Sequence, residues 1–475
     1  MMPVSVASSS PNSVVPGSRF NQMYVWGISL AAAMGALLFG YDWVVIGGAK
    51  PFYEPYFGID SPALQGWAMS CALVGCLLGS VASGLLSDRF GRKRMLIVAG
   101  FTFAVSSLGT GLAHSFLQFV VWRIAGGLSI GLVSILSPMY IAEVAPAELR
   151  GKLVATNQLA IVIGIVLAQG TNWLIGKPLA ANATWIEIRQ SWDGQLGWRW
   201  MFAVTAIPAC LFVVAMFLAP ESPRWLAKKG LRERSERILA RIGGEAYSRR
   251  VFAEIEQTLD QPQDKSRAIE LLDRRYTRPL LLGIGLAVLQ QWCGINVIFN
   301  YAQEVFSAAG YQLSSMLFNI LVTGLVMLVF TIVAIVTVDR LGRRMLMLLG
   351  CGGLAVLYVL VGAAYQFHLH GFAILLLIAA AIACYSMTLA PVTWVLLSEI
   401  FPNRIRSSGM SVATTFLWSA CFVLTYTFPI LNQRLGAARI FWLYAAICMG
   451  GFVMVSLWAP ETKGQTLEAI EASWK

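Results

Sequence analysis

The sequence predicts an all-α membrane protein of twelve transmembrane helices in two six-helix bundles, and three observations carry the prediction. Only 12% of the 475 residues are charged while 57% are hydrophobic, where a soluble globular chain has about a quarter of its residues charged. Apolar stretches of the ~20 residues needed to cross a bilayer recur along the whole chain between short polar breaks. Short charged signals also return in the same order in the two halves, which is the mark of a duplicated unit.

The first six spans are read at Tyr24–Ala49, Leu64–Leu86, Met95–Ala113, Phe116–Ala142, Leu153–Ile175 and Trp198–Leu218. The second six are Pro279–Phe306, Leu317–Val338, Met345–Phe367, Ile374–Leu397, Met410–Leu431 and Ile440–Ala459. The expected organisation is a tail over 1–22, a bundle over 23–220, a linker with short helices over 221–278, a second bundle over 279–460 and a tail over 461–475. Residues 1–20 lack a basic segment followed by a compact apolar one, so the first helix is expected to act as its own insertion signal. In the linker, Glu233 and Arg237 stand four apart, as on one face of a solvated helix.

Lys and Arg concentrate in cytoplasmic loops. Basic loops at Asp88–Arg94, Glu221–Arg278 and Asp339–Arg344 alternate with nearly neutral ones at Lys50–Pro62 and Lys177–Gly197, which puts both termini in the cytoplasm. The net charge of +11 is this topological bias. With no folded basic domain, it implies no nucleic-acid partner; the expected surroundings are a lipid bilayer. The eight Cys all fall inside predicted helices without metal-ligand spacing, and the three His lie at external helix ends. No nucleophile–base set, phosphate loop or metal cluster is found, so neither an enzyme nor a cofactor is expected.

The repeat is explicit. Ser87-Asp88-Arg89-Phe90-Gly91-Arg92-Lys93 matches Val338-Asp339-Arg340-Leu341-Gly342-Arg343-Arg344. Glu143 and Arg150 match Glu399 and Arg406, and Pro220-Glu221 matches Pro460-Glu461. Six-helix halves related about the membrane normal, with a site between them near the midplane, form a transporter architecture. The clusters Asp88, Arg89, Arg92, Glu143, Arg150 and Glu221, and Asp339, Arg340, Arg343, Glu399, Arg406 and Glu461, set acids beside arginines on one membrane face. They read as a cytoplasmic gate of weak ion pairs between the halves, each worth ~0–1 kcal/mol, or else as charges that only fix helix ends.

An acid at a helix centre costs roughly 2.5–3.5 kcal/mol to insert, so Asp42, within the first apolar span, requires a use. Arg123 in the fourth span is its natural partner. Beside a guanidinium the acid stays charged; apart from it in dry surroundings it takes up a proton. The pair is a candidate proton switch, the alternative being a permanent buried ion pair. Elsewhere, amides that both donate and accept and aromatic rings able to stack would suit a neutral ligand rich in hydroxyls, or else would only bond and pack helix to helix. Gln290, Gln291 and Asn296 around Gly294 in the seventh span, Gln158 in the fifth, Trp394 in the tenth and Trp418 in the eleventh supply them.

Asp88-Arg89-Phe90-Gly91-Arg92-Lys93, Pro220-Glu221-Ser222-Pro223-Arg224-Trp225, Gln290-Gln291 with Gly294-Ile295-Asn296, and Pro460-Glu461-Thr462-Lys463-Gly464 resemble the sugar porter family of the major facilitator superfamily. The resemblance runs in order through both halves, and the short first external loop is similar to that of bacterial sugar–proton symporters. It implies a major facilitator fold, a monomer in the cell (inner) membrane, and alternating access that takes a monosaccharide with a proton. By the same resemblance Asp42 and Arg123 fall on the proton-coupling pair, and Gln158, Gln290, Gln291 and Asn296 on amides that bind sugar hydroxyls. Trp394 and Trp418 fall on pocket tryptophans, and Ile161 and Ile165 line the wall beside Gln158. A passive uniporter is the rival reading, and a transport-inactive sugar sensor a more distant one. Met327, Leu417, Ser386 and Asn300 depart from the family pattern, which implies fewer polar contacts from the second half and a ligand such as a pentose, or another polyol.

Overall fold

The computed structural model describes residues 20–177, 183–259, 273–310, 313–369, 371–402 and 405–463, with the side chains of 258–259, 274, 313–315, 338–340 and 406–407 outside that description. All elements among the described residues are helical. The spans are α1 (Gln22–Phe57), α2 (Pro62–Phe90), α3 (Arg92–Gly111), α4 (Phe116–Val144), α5 (Ala147–Ile175) and α6 (Asp193–Leu218). In the second half come α7 (Thr277–Asn300), α8 (Leu313–Leu341), α9 (Arg343–Gln366) and α10 (Phe372–Ile400). The run Arg406–Trp458 is broken at Gly436, where φ is +76°, into α11 (406–435) and α12 (437–458). Among the described residues, eleven apolar runs therefore make twelve crossings.

Local chemistry explains the ends. Ser61 and Ser115 cap α2 and α4 by accepting from the N–H groups of Leu64 and Gln118, and Asn21 does the same for α1 through Tyr24. Large apolar side chains such as Leu78, Leu174 and Leu218 face outward, which in a bilayer is the favoured side for them. Packing inside the first half relies on small residues. Gly75 and Gly79 of α2 meet Gly127 and Gly131 of α4 so closely that a Cβ on any of the four would collide with the facing backbone.

Among the described residues, the halves touch at the centre and toward the end opposite the basic loops. There α1 meets α7 and the helical turn after it, Trp67 of α2 meets Phe422 of α11, and Trp173 of α5 meets Phe318 of α8.

Two expectations are corrected. Helix α1 does not stop at Ala49: it continues through Lys50, Pro51, Glu54 and Pro55 to Phe57, so most of the expected loop Lys50–Pro62 is helix, with Lys50 and Glu54 buried. Proline argues for a break in a soluble helix, but in a membrane bundle neighbouring helices tolerate the freed carbonyls. In the linker, helices span Pro223–Lys228 and Arg232–Leu259, the latter broken at Gly244, where φ is +84°, and among the described residues the four-apart pairs formed are Arg232–Glu236 and Arg250–Glu254 rather than Glu233–Arg237. The linker packs on the first half: Asn21 N–H donates to Ile242 O, Lys228 pairs with Asp88 at 2.9 Å, and Trp225 Nε1 donates to Asp88 O.

Candidate functional site

Asp42 and Arg123 meet inside the first half. Arg123 Nη1 donates to Asp42 Oδ1 at 2.5 Å, with the residues 4% and 6% exposed. The guanidinium lies over the Phe202 ring of α6, 5.4 Å from its centroid, and its Nε has no hydrogen-bond partner among the described residues. The guanidinium therefore holds the carboxylate with one good bond and spare donor capacity, an arrangement that can open without dismantling a network.

The amides gather on α7. Its helix runs to Trp292, breaks at Gly294 with φ +88°, and resumes over Ile295–Asn300. A left-handed φ of this kind is costly for any residue but glycine. The break folds the chain back enough for Asn296 Nδ2 to donate to Gln291 Oε1, while Gln291 Nε2 donates to Gln290 Oε1 at 3.0 Å. All three are buried. Helix α10 breaks similarly at Thr388, ahead of the segment that carries Trp394.

Trp418 of α11 is buried against Phe39 and Trp43 of α1, with centroids 5.8 and 6.2 Å away, and its Nε1 has no partner among the described residues. This aromatic cluster therefore joins the halves beside Asp42. Gln158 is half-buried on α5, Ile161 sits against Gly40 of α1, and Ile165 is buried. Trp394 is more exposed and shares no ring contact with Trp418 among the described residues. Of the departures from the family pattern, Met327 and Leu417 are buried and apolar, Ser386 Oγ donates back to Ile382 O of its own helix, and Asn300 Oδ1 is buried without a partner among the described residues.

Sequence reasoning missed Phe39 and Trp43, whose i,i+4 spacing around Asp42 is the signal that would have found them. It also missed Gln169 of α5, which is buried with neither amide atom partnered among the described residues. The third omission is the buried cluster of Lys50, Glu54 and Glu304.

At the basic end, the described pairs form within each half, not between halves as the gate reading expected. Arg92 donates to Asp88 at 3.0 Å and to Glu143 at 3.1 Å, and Glu221 accepts from the Lys93 N–H at 3.0 Å. Arg343 faces Glu399 at 3.5 Å, and Glu461 accepts from the Arg343, Arg344 and Lys463 N–H groups. Arg89 lies over the Phe90 ring and Arg150 is exposed. The side chains of Asp339, Arg340 and Arg406 lie outside the described residues. With the halves joined at the opposite end, these clusters brace the individual bundles in the conformation seen.

The sequence matches the family described as "Sugar (and other) transporter" over residues 28–474. This chain belongs to that family. The sugar transporter is 36% identical to the D-xylose-proton symporter of Escherichia coli (strain K12), across 96% of this chain and 97% of that one. It is 39% identical to the glucose transport protein of Synechocystis, across 97% and 99%. The inward-open xylose transporter XylE from E. coli superposes with a TM-score of 0.82 at 35% identity, covering 95% of this chain and all of the other. The fold is thus the major facilitator fold of two six-helix bundles, and the protein is a multi-pass membrane transporter rather than an enzyme.

Proposed function

We propose that this transporter is a proton-coupled symporter of a monosaccharide, a pentose or a hexose, working by alternating access as a monomer in the inner membrane with both termini cytoplasmic. The observation that carries the reading is the buried, singly bonded pair Asp42–Arg123 at 2.5 Å, on α1 beside the ring cluster that joins the halves. A permanent buried pair is seldom worth its desolvation cost; one that parts when the acid is protonated links a proton to a change of shape. The similarity to a D-xylose-proton symporter supports the coupling, and the amides of α7 with Trp418 support a polyhydroxylated ligand.

In the cycle, protonation of Asp42 from outside releases Arg123 and favours the outward-open, sugar-accepting state. Gln290, Gln291 and Asn296 exchange their mutual hydrogen bonds for sugar hydroxyls and Gln158 adds its amide, with Trp394 and Trp418 flanking the ring and Ile161 and Ile165 closing the wall. The halves then rock, with the broken α7 and α10 taking up the change. Asp42 loses its proton to the cytoplasm and recaptures Arg123, which restores the inward-facing state supported by the likeness to inward-open XylE. In the outward state the basic-end clusters Asp88, Arg92, Glu143 and Glu221 approach Arg343, Glu399 and Glu461 and close the cytoplasmic side.

The test is uptake of radiolabelled xylose and glucose into proteoliposomes with and without an inward proton gradient. Gradient-driven accumulation that Asp42→Asn abolishes, while counterflow survives, is the expected result. Accumulation indifferent to the substitution removes Asp42 from coupling; equilibration without accumulation in the native protein makes it a passive carrier.

A further inference from the structure

A second charged cluster in the bundle is left unused by the coupling scheme. Lys50 on α1 is 2% exposed and pairs with two carboxylates. One is Glu54, a turn further along the same helix, at 3.2 Å and 4% exposed. The other is Glu304, in the helical turn Ala302–Ala308 that follows α7 in the second half. Gln65 of α2 donates to Glu54 at 3.3 Å and ties that carboxylate to the first half. Tyr301 of the second half lies under the ammonium, 5.7 Å from ring centroid to nitrogen.

The two carboxylates differ in what happens when the halves part. Opening this end separates Lys50 from Glu304, and a buried ammonium stripped of its partner is strongly unfavourable. Glu54 prevents that outcome, because it travels with Lys50. The Glu304 side chain is 23% exposed against 5% for Glu54, and its Oε2, buried without a hydrogen bond among the described residues while this end is shut, gains water when released. The backbone on both sides can move. Pro51 and Pro55 remove two hydrogen bonds from the end of α1, and the chain after Gly294 is a pair of short turns interrupted at Tyr301, where φ is −117° and ψ is 36°. Gly47 of α1 packs on the carbonyl of Phe299, where a Cβ would stand 2.6 Å away, so the two moving parts touch beside the cluster.

We propose that Lys50 and Glu304 form the latch that shuts the transporter at the end opposite the basic loops, and that Glu54 is the reserve carboxylate that receives Lys50 when the latch opens. The latch rests on the alternating-access reading but not on the identity of the proton-coupling acid. It gives the two carboxylates opposite roles. Glu304→Gln removes the bond across the halves and leaves Lys50 neutralised by Glu54, so this end opens more. Glu54→Gln leaves the bond across the halves and removes the reserve, so this end opens less and turnover slows.

The measurement is the distance distribution between nitroxides on Ala63→Cys and Ser307→Cys, both exposed at this end, in a Cys210→Ser background in lipid nanodiscs. Glu304→Gln is expected to raise the ratio of open to closed populations on the order of tenfold. Glu304→Asp, which keeps the charge, holds the native distribution and shows that the site folds. Glu54→Gln is expected to reduce the open population and slow sugar counterflow by a similar factor. No shift with Glu304→Gln, or a shift of the same sign with both glutamine variants, overturns the latch. Loss of proton coupling as the function would leave these distances as they are, whereas a native protein that never opens at this end under any condition would refute alternating access itself.

Discussion

The two halves descend from one repeated pattern, yet they carry different chemistry. The first sets charged pairs between helices that run unbroken: Asp42 and Arg123 meet between α1 and α4, and Arg92 holds Asp88 and Glu143 at 3.0 and 3.1 Å. The second carries neutral amides on helices that break at Gly294 and Thr388, and its matching pair, Arg343 and Glu399, stands at 3.5 Å. A half that must hold a buried charge gains from rigidity, since electrostatic attraction falls with separation. On the proposed cycle, a half that wraps a ligand with many hydroxyls gains from backbone that can adjust. The duplication supplied two copies of a scaffold, and the substitutions turned one into an ionic body and the other into a deformable one.

The comparison breaks most visibly at the centre. Asp42→Asn is expected to abolish accumulation above equilibrium while leaving counterflow. Gln291→Ala is expected to raise the half-saturation concentration of counterflow about tenfold or more, in line with ~1–3 kcal/mol for an unpaired buried hydrogen-bonding group, while coupling persists. Loss of coupling in the glutamine variant would end the division of labour.

Next in size is the pair of basic-end arginines. Arg92→Ala leaves the Glu143 carboxylate with only the Ser222 hydroxyl as a donor among the described residues and is expected to lower the apparent melting temperature in detergent by several degrees, from a loss of about 2–4 kcal/mol. Arg343→Ala, in the looser cluster, is expected to cost about 1 kcal/mol. Equal effects would show that the difference in spacing has no energetic content.

Gly294→Ala tests the deformable half. Its left-handed backbone alone costs about 1–2 kcal/mol with a Cβ, and the new atom would lie 2.8 Å from the Tyr444 ring. Gly244→Ala in the linker has a similar φ, +84°, and open space around it, so it isolates the backbone cost. Transport slowed by the first substitution and not by the second would assign the break at Gly294 to the working cycle.

The smallest effect concerns Glu461. Burial pushes its carboxyl up, but the N–H groups of Lys463, Arg343 and Arg344 outweigh that and hold it below the usual glutamate range. A depressed carboxyl stabilises the fold above its unfolded value and loses that contribution as the pH falls through the folded value. Melting curves of the native protein should therefore decline more steeply than those of Glu461→Gln between about pH 5 and pH 3.

Much of this was legible in the residues. Twelve spans follow from apolar length, and the repeat from short charged signals. The adjacency of Asp42 and Arg123 follows because a membrane helix does not keep an acid without a cation nearby. Other parts were hidden for physical reasons. The charged residues Lys50 and Glu54 end the apolar run at Ala49, so a reading by apolar length places them in the external loop, whereas the helix carries them buried to Phe57. The Lys50–Glu304 contact spans 254 residues of chain, and no local spacing announces it. The basic-end clusters read either as a gate between the halves or as charges that fix helix ends; which partner an arginine chooses depends on the conformation, and a sequence encodes every state of the cycle at once.

The linker has a practical consequence for watching that cycle. Through Asn21, Lys228 and Trp225 the helices Pro223–Lys228 and Arg232–Leu259 ride on the first bundle. They are a ready-made lever arm: a dye or a nanobody on the outer face of Arg232–Leu259 would swing with that bundle and amplify its tilt, without entering the path the cargo takes.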